Sequence, residues 1–287
     1  DPPGLRSPLK SAASMIGMLP IMVLFMKYGK KSCREYYDSL KLKNKDLKAF
    51  FDSMYGTRDF SALAFIMMFA WFNQKNAGYL LGGSLPMAER MTERFLSLGG
   101  KLTTKKKVSK IVVEGNAARG VVLADGTTIE ADYVISAADG HDTVFGMLEG
   151  KYLTKKITNA YENWELFTPI VQVSFGLDKI YPSESPNEMF MNSGYKIGRT
   201  VTKYGYSFMN YQFDKTMAPE GKSVIVLRYE SPWDLWKDIS KEDYEAEKAS
   251  IEADARLLLE KHYPGVSGSI EVVDVATPVT DVRYTGA

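Results

Sequence analysis

The side chains able to do acid–base or nucleophilic chemistry are few and scattered. The 287 residues contain one cysteine, Cys33, and two histidines, His141 and His262. Their separation denies a Cys/His zinc site, so no metal is expected, and a single cysteine cannot form an intrachain disulfide. Nucleophilic catalysis of the Ser-His or Cys-His kind is equally unsupported, because His141 falls in a loop and His262 at a helix end, each read as structural. Asp139, Asp142 and Asp281 could exchange protons, but no spacing brings two of them onto one substrate, and the catalytic residues are left unassigned. Trp164, Trp233 and Trp236 could line a pocket or fill a core. Neither G-x-G-x-x-G after a strand nor G-x-x-x-x-G-K-[ST] occurs. The nearest glycine pair is Gly82-Gly83, and such a pair in isolation serves a turn more often than a ligand.

The elements that would position these side chains are located by the apolar pattern. From Leu9 to about Phe72 the pattern is helical: Met15, Met18, Met22 and Met26 step by three and four residues onto one face, and Pro20 should kink or divide that helix. Further helices are expected at Lys31 to Leu40, Asp46 to Met54 and Phe60 to Phe72. Seven of the 14 methionines lie at or before Met68. That soft face suits core packing, an irregular greasy ligand or contact with a membrane. The run from Ser11 to Tyr28 is marginal for a membrane span, which needs about 20 apolar residues, and it lacks the cationic start of a signal peptide. The default location is cytoplasmic, with peripheral membrane contact compatible.

Next, Ser84 is placed as the N-cap of a helix carrying Ala88, Met91, Phe95 and Leu98, stopped by Gly99-Gly100. The period then changes to β-rich runs separated by Glu114-Gly115-Asn116 and Asp125-Gly126, giving a three-stranded meander whose last strand is Tyr133 to Ser136. A helix follows near Thr143 to Leu148. Strands are expected at Ile170 to Leu177, Tyr206 to Phe213, Ser223 to Tyr229 and Ile270 to Val275. One helix interrupts them, capped by Ser240, turning Ile251, Ala255, Leu258 and Leu259 inward and stopped by Pro264-Gly265. The fold class is α+β, with a helical N-terminal part, a small antiparallel meander and a mixed or antiparallel sheet with covering helices. Composition is that of an ordinary globular chain, 45% apolar, and 36 basic residues against 35 acidic ones leave no field for nucleic acid.

Taken in order, Tyr79, Gly82-Gly83, Gly99-Gly100, Val108 with Ile111, Gly120-Val121, Asp125-Gly126 and Ser136 to Asp139 resemble the middle of the phytoene desaturase and carotenoid isomerase family of amine-oxidase-like flavoproteins. Lys45 to Ala49, Met54-Tyr55-Gly56 and Ala276 to Ala287 resemble flanking stretches of that family. Gly140 departs from it, since the family usually places proline there.

The resemblance implies an internal fragment of an FAD-dependent oxidoreductase, with the N-terminal dinucleotide fingerprint and the C-terminal flavin segment outside this sequence. It implies residues 1–77 as a helical lid, 78–150 as part of the FAD-binding domain and 151–287 as a substrate-domain sheet flooring a lipophilic channel. Gly82, Gly83, Val108, Ala137, Ala138 and Asp139 would border FAD, with Arg283 and Tyr284 approaching it. The partner would be a polyene or other lipophilic small molecule, exchanging hydride with the flavin by desaturation, saturation or isomerisation. The fragment alone would be inactive and would not hold FAD. A different reading is a non-redox module resembling Rab escort and GDP-dissociation-inhibitor proteins. The substrate, redox direction and oligomeric state are not legible.

Overall fold

The computed structural model describes residues 20–47, 60–76, 78–164, 166–191 and 194–286. They fall into two compact units, Asp1–Leu80 and Leu81–Ala287. Met15, Met18, the start of the first helix and most of Asp46 to Met54 lie outside the described residues, as do Met54-Tyr55-Gly56 and the last of Lys45 to Ala49.

Residues 20–28 of the first unit are helical. Helix α1 (Cys33–Ser39) begins in a capping box, Ser32 accepting from the Glu35 amide while Glu35 reaches back to the Ser32 amide. Helix α2 (Ala62–Asn73) is tied to it through backbone bonds from Cys33 to Phe60 and from Ala62 to Lys31. Between them lies a small aromatic core of Tyr37 and Phe65 around the fully buried Cys33. Burial pushes the Cys33 thiol up, which leaves it a packing group rather than a nucleophile. The methionine face that is described is solvent-facing: Met22 is 50% and Met26 76% exposed.

The second unit opens with α3 (Ser84–Ser97). Its N-cap is Gly83, not Ser84: the positive φ of 77° at Gly83 turns the chain one residue earlier than a serine cap would. Gly99, at φ 88°, ends the helix as expected. A meander of β1 (Val108–Glu114), β2 (Ala117–Leu123) and β3 (Thr128–Glu130) follows, antiparallel throughout. At Gly120 any Cβ would meet the Ile129 carbonyl oxygen, so the close pairing of β2 with β3 requires glycine. The third strand is Thr128–Glu130, which corrects the assignment to Tyr133 to Ser136. After the Asp125-Gly126 turn the chain lies directly opposite Gly120 to Val122, and the ladder is complete before Tyr133. Tyr133 and Ile135 are 88% and 91% exposed, with no neighbouring strand among the described residues. The helix expected near Thr143 is a short π-helix, Asp142–Met147.

Helix α4 (Lys155–Asn163) leads to a five-stranded sheet in the order β10-β4-β9-β8-β5. Its strands are β4 (Ile170–Leu177), β5 (Asn187–Phe190), β8 (Tyr206–Asn210), β9 (Ser223–Glu230) and β10 (Ile270–Ala276). All pairs are antiparallel, which settles the mixed-or-antiparallel expectation. The hairpin β6 (Lys196–Ile197) and β7 (Thr200–Val201) stands apart. Along β4, Val171, Val173, Phe175 and Leu177 are buried while Gln172, Ser174 and Gly176 face the other way. The buried set packs with Ile225, Leu227 and Tyr229 of β9 and with Ile251, Ala255 and Leu259 of α5 (Lys241–His262) in one core. Ser240 caps α5 as its sequence predicts. The chain beyond β10 forms α6 (Pro278–Thr285), capped by Thr277.

At the end of α5, the His262 ring lies tilted against Phe190 and shares a 2.8 Å hydrogen bond with the Tyr206 hydroxyl. Burial, and then the Tyr195 phenol, push Tyr206 up to about 12, so it stays protonated. Burial first and the Lys261 ammonium second hold the His262 imidazole below its ordinary value, against a smaller opposing pull from Glu188. A depressed histidine pKa means that the unfolded chain takes up the proton first. The stability it lends is therefore complete above about pH 6.5, the ordinary histidine value, and is lost as pH falls from there through the folded value. Urea unfolding across that interval should show a steeper loss for the wild type than for His262→Gln; parallel curves would contradict this.

Candidate functional site

The site is best built from the end of β8, where the chain must leave the sheet without orphaning its polar groups. Asn210 is buried; its side chain accepts from the Gln212 amide and donates to the Tyr181 carbonyl at 2.8 Å. Those bonds end the strand at Asn210, three residues short of the Phe213 expected from the apolar pattern. They turn Tyr211–Phe213 into a 3-10 helix lying over β9.

Asp214 comes next and is 3% exposed. One carboxylate oxygen accepts from the Thr216 amide at 3.0 Å and its hydroxyl at 2.7 Å; the other accepts from the Gly82 amide at 2.7 Å. A buried charge persists only when its lone pairs are used, and here three donors use them. The Gly82-Gly83 turn is thus fastened to the exit of the sheet. Gly82 itself has φ 89° and would place a Cβ 3.5 Å from Pro86. At Gly83 the helix α3 begins with no side-chain cap, leaving its first amides facing outward at the positive end of the helix dipole.

Tyr211 links this exit to the sheet face turned away from α5. Its hydroxyl accepts from the Arg228 guanidinium at 3.3 Å, and Gln172 accepts from Arg228 Nε at 2.9 Å. Gln172 in turn donates to Ser174 at 3.4 Å. Register places Gln172, Arg228 and Ser207 side by side on β4, β9 and β8.

Of the residues predicted to border a cofactor, Gly82 is bound to Asp214 at the exit of β8, with Gly83 next to it. The others lie at the meander. Val108 opens β1, half-buried. Ala137 and Ala138 are exposed, and Asp139 precedes the π-helix, its carboxylate accepting from the Asp142 amide at 2.9 Å. No described hydrogen bond or ion pair joins the two groups. The meander and π-helix enclose a cavity of about 110 Å³ lined by Lys110, Ile111, Met147 and Tyr152 among others, with Glu149 held well down, to about 2, by Lys110 and Lys151. Asp139, His141 and Asp142 bring three donor atoms within 4.8 Å on one exposed turn. Arg283 and Tyr284 lie exposed on α6, stacked on each other.

The sequence reading missed Asp214, Tyr211, Gln172 and Arg228. Two signals were available. Asp214-x-Thr216 is an Asx-turn pattern, and the apolar alternation of β4 and β9 is broken at matching parity by Gln172 and Arg228.

The sequence matches the family described as flavin containing amine oxidoreductase over residues 12–257, and the chain belongs to that family. It is 27% identical over 211 residues to a protein named chloroplastic prolycopene isomerase from Arabidopsis thaliana, covering 72% of this chain and 35% of that one. It is 24% identical over 238 residues to a 4,4'-diapophytoene desaturase from a Methylomonas species, covering 79% and 46%. The chain thus spans roughly a third to a half of the length of these relatives. A solved oxidoreductase from Methanosarcina mazei overlaps 68% of this chain and 42% of its own at 18% identity and a TM-score of 0.43, too loose a likeness to define the fold.

Replacing Asp214 with Ala would leave the Gly82 amide and the Thr216 donors without their acceptor, at a cost of about 1–3 kcal/mol. Amide hydrogen exchange should then quicken at residues 81–85 while β4 and β9 stay protected. Unchanged exchange at Gly82 would show that the carboxylate does not hold the turn.

Proposed function

We propose that this chain forms the substrate-facing core of a flavin-dependent oxidoreductase acting on a polyene or other extended lipophilic molecule. The family match over residues 12–257 carries this reading, and the relatives named for carotenoid isomerisation and desaturation support the substrate class. Activity belongs to the whole protein, of which this sequence holds the part just described.

The residues present fit a flavin. The Gly82-Gly83 turn has no side chain to obstruct a planar ring, and the uncapped first turn of α3 offers amide donors to its electron-rich edge. Gly82 and Gly83 would hold the ring, with Val108 and Ala137 to Asp139 taking the rest of the cofactor. A bound flavin supplies hydride acceptance and donation. The protein's own tasks are to seat the substrate against the sheet, exclude water and keep the turn fixed through Asp214.

Titration of the intact gene product with FAD should produce flavin absorbance, and Gly82→Val should weaken uptake about tenfold or more, because a β-branched residue at φ 89° is strained. A protein that retains no flavin absorbance after incubation with excess FAD and removal of the free cofactor would overturn the proposal and favour a non-redox binding module.

Peripheral contact with a membrane fits the same reading. Ile21, Met22, Val23, Phe25 and Met26 are about half exposed or more, although no helix among the described residues is long and apolar enough to cross a membrane. The chain should float with liposomes, and Phe25→Glu should reduce flotation several-fold; flotation unaffected by that change would exclude this helix as the contact.

A further inference from the structure

Arg228 occupies the middle strand of a five-stranded sheet, on the face turned away from the helix-covered core. It is partly buried, and its partners are neutral: the Gln172 side-chain oxygen and the Tyr211 hydroxyl. Two of the guanidinium's N–H donors are engaged by these, and the rest have no acceptor among the described residues. No ion pair reaches Arg228 among the described residues, unlike Arg199, which meets Glu247 at 3.3 Å. Two acids share its face: Glu230, exposed and two residues along the same strand, about 7 Å away by strand rise, and Asp274, two strands across and about 12 Å away by strand spacing. Asp214 is nearer in sequence to Tyr211, but its oxygens are already taken by Gly82 and Thr216. The two neutral acceptors fix the direction of the guanidinium without neutralising it. A half-buried cation oriented by neutral acceptors and engaged in no ion pair can receive an oxyanion, and arginine suits a carboxylate in particular because its planar fork matches two oxygens.

We propose that this face binds the carboxylate end of a lipophilic ligand, with Arg228 as the anion contact, Gln172 and Tyr211 as its positioning residues, and Met209 and the half-exposed Met189 on the same face receiving the apolar chain. The inference rests on the lipophilic-ligand reading above and adds a polar terminus to it. It is distinct from flavin binding, which the whole protein would do with the glycine turn as one part of its site.

The probe is cis-parinarate, a fluorescent polyene fatty acid, compared with its uncharged methyl ester on the complete chain. The acid should bind about tenfold more tightly than the ester, a ratio that corresponds to one charged contact of about 1.4 kcal/mol. Arg228→Gln should bring the ratio close to one, and Arg228→Lys should retain part of it. Thermal melts establish that the variants fold. Should Arg228→Gln not fold, the salt dependence of the wild-type ratio decides, since an ionic contact weakens as salt rises and a purely apolar one does not. Equal affinity for acid and ester, or a preference that survives Arg228→Gln, would overturn the proposal. So would displacement of parinarate by ADP in an Arg228-dependent manner, which would assign the oxyanion to a nucleotide phosphate. Loss of acid preference with FAD uptake intact would sink this inference alone and leave the oxidoreductase reading standing.

Discussion

Val171, Val173, Phe175 and Leu177 of β4 meet Tyr229, Leu227 and Ile225 of β9 on one side of the sheet, beneath Ile251, Ala255 and Leu259 of α5. Burying each such side chain contributes about 1.5–3 kcal/mol relative to exposure, so this face dominates the stability of the second unit. Strand side chains alternate with a period of two, and a slip of one residue would turn the whole apolar set to water. The dry face therefore fixes the register, and the register fixes what lies on the other face. Gln172 must stand beside Arg228, and Arg228 beside Ser207, because Val173, Leu227 and Phe208 are paired beneath them. The polar row is a geometric consequence of the core.

The glycine turn reaches that row through side chains rather than through strand pairing. Asn210 closes β8, Tyr211 bends over β9, and Asp214 takes the Gly82 amide, all within five residues. A hydrogen bond to a buried carboxylate is stronger than one between neutral groups, so residues separated by more than a hundred positions in sequence are held in a fixed relation. Such a linkage would hold a planar group bound at the turn in a fixed relation to the sheet.

Much of this architecture was legible in the sequence, and the parts that were not share a cause. Strands β4, β9 and β10 and helix α5 were found to within a residue or two because each buries a regular apolar pattern. β5 and the β6–β7 hairpin were missed, being short and of mixed polarity, with neighbours rather than propensity making them strands. The third meander strand was misplaced because Tyr133 to Ser136 has the stronger β composition, whereas Thr128–Glu130 has the turn that brings it into register. The glycine pair was picked out by resemblance to a flavoprotein family. Asp214 and Arg228 depend on partners far away in sequence, which no local window reveals.

Arg199 and Arg228 show how differently one residue type can be used in a single unit. Arg199 lies at the β6–β7 turn, where Glu247 takes its backbone amide at 2.6 Å and pairs with its side chain, the Leu235 carbonyl accepts from it at 2.9 Å, and the Trp236 ring lies 5.7 Å away. Asp254 adds a bond from the Gly198 amide at 2.8 Å. Every element there is a protein group, and the outcome is a hairpin strapped to α5. Arg228 is likewise partly buried but makes no ion pair among the described residues. Leaving a charge half-buried and unneutralised costs stability that a methionine or leucine at that position would not. An alternating strand could supply either residue there without disturbing the dry face. The placement of a cation on that strand is therefore not required by folding, and its use lies with what binds above the sheet.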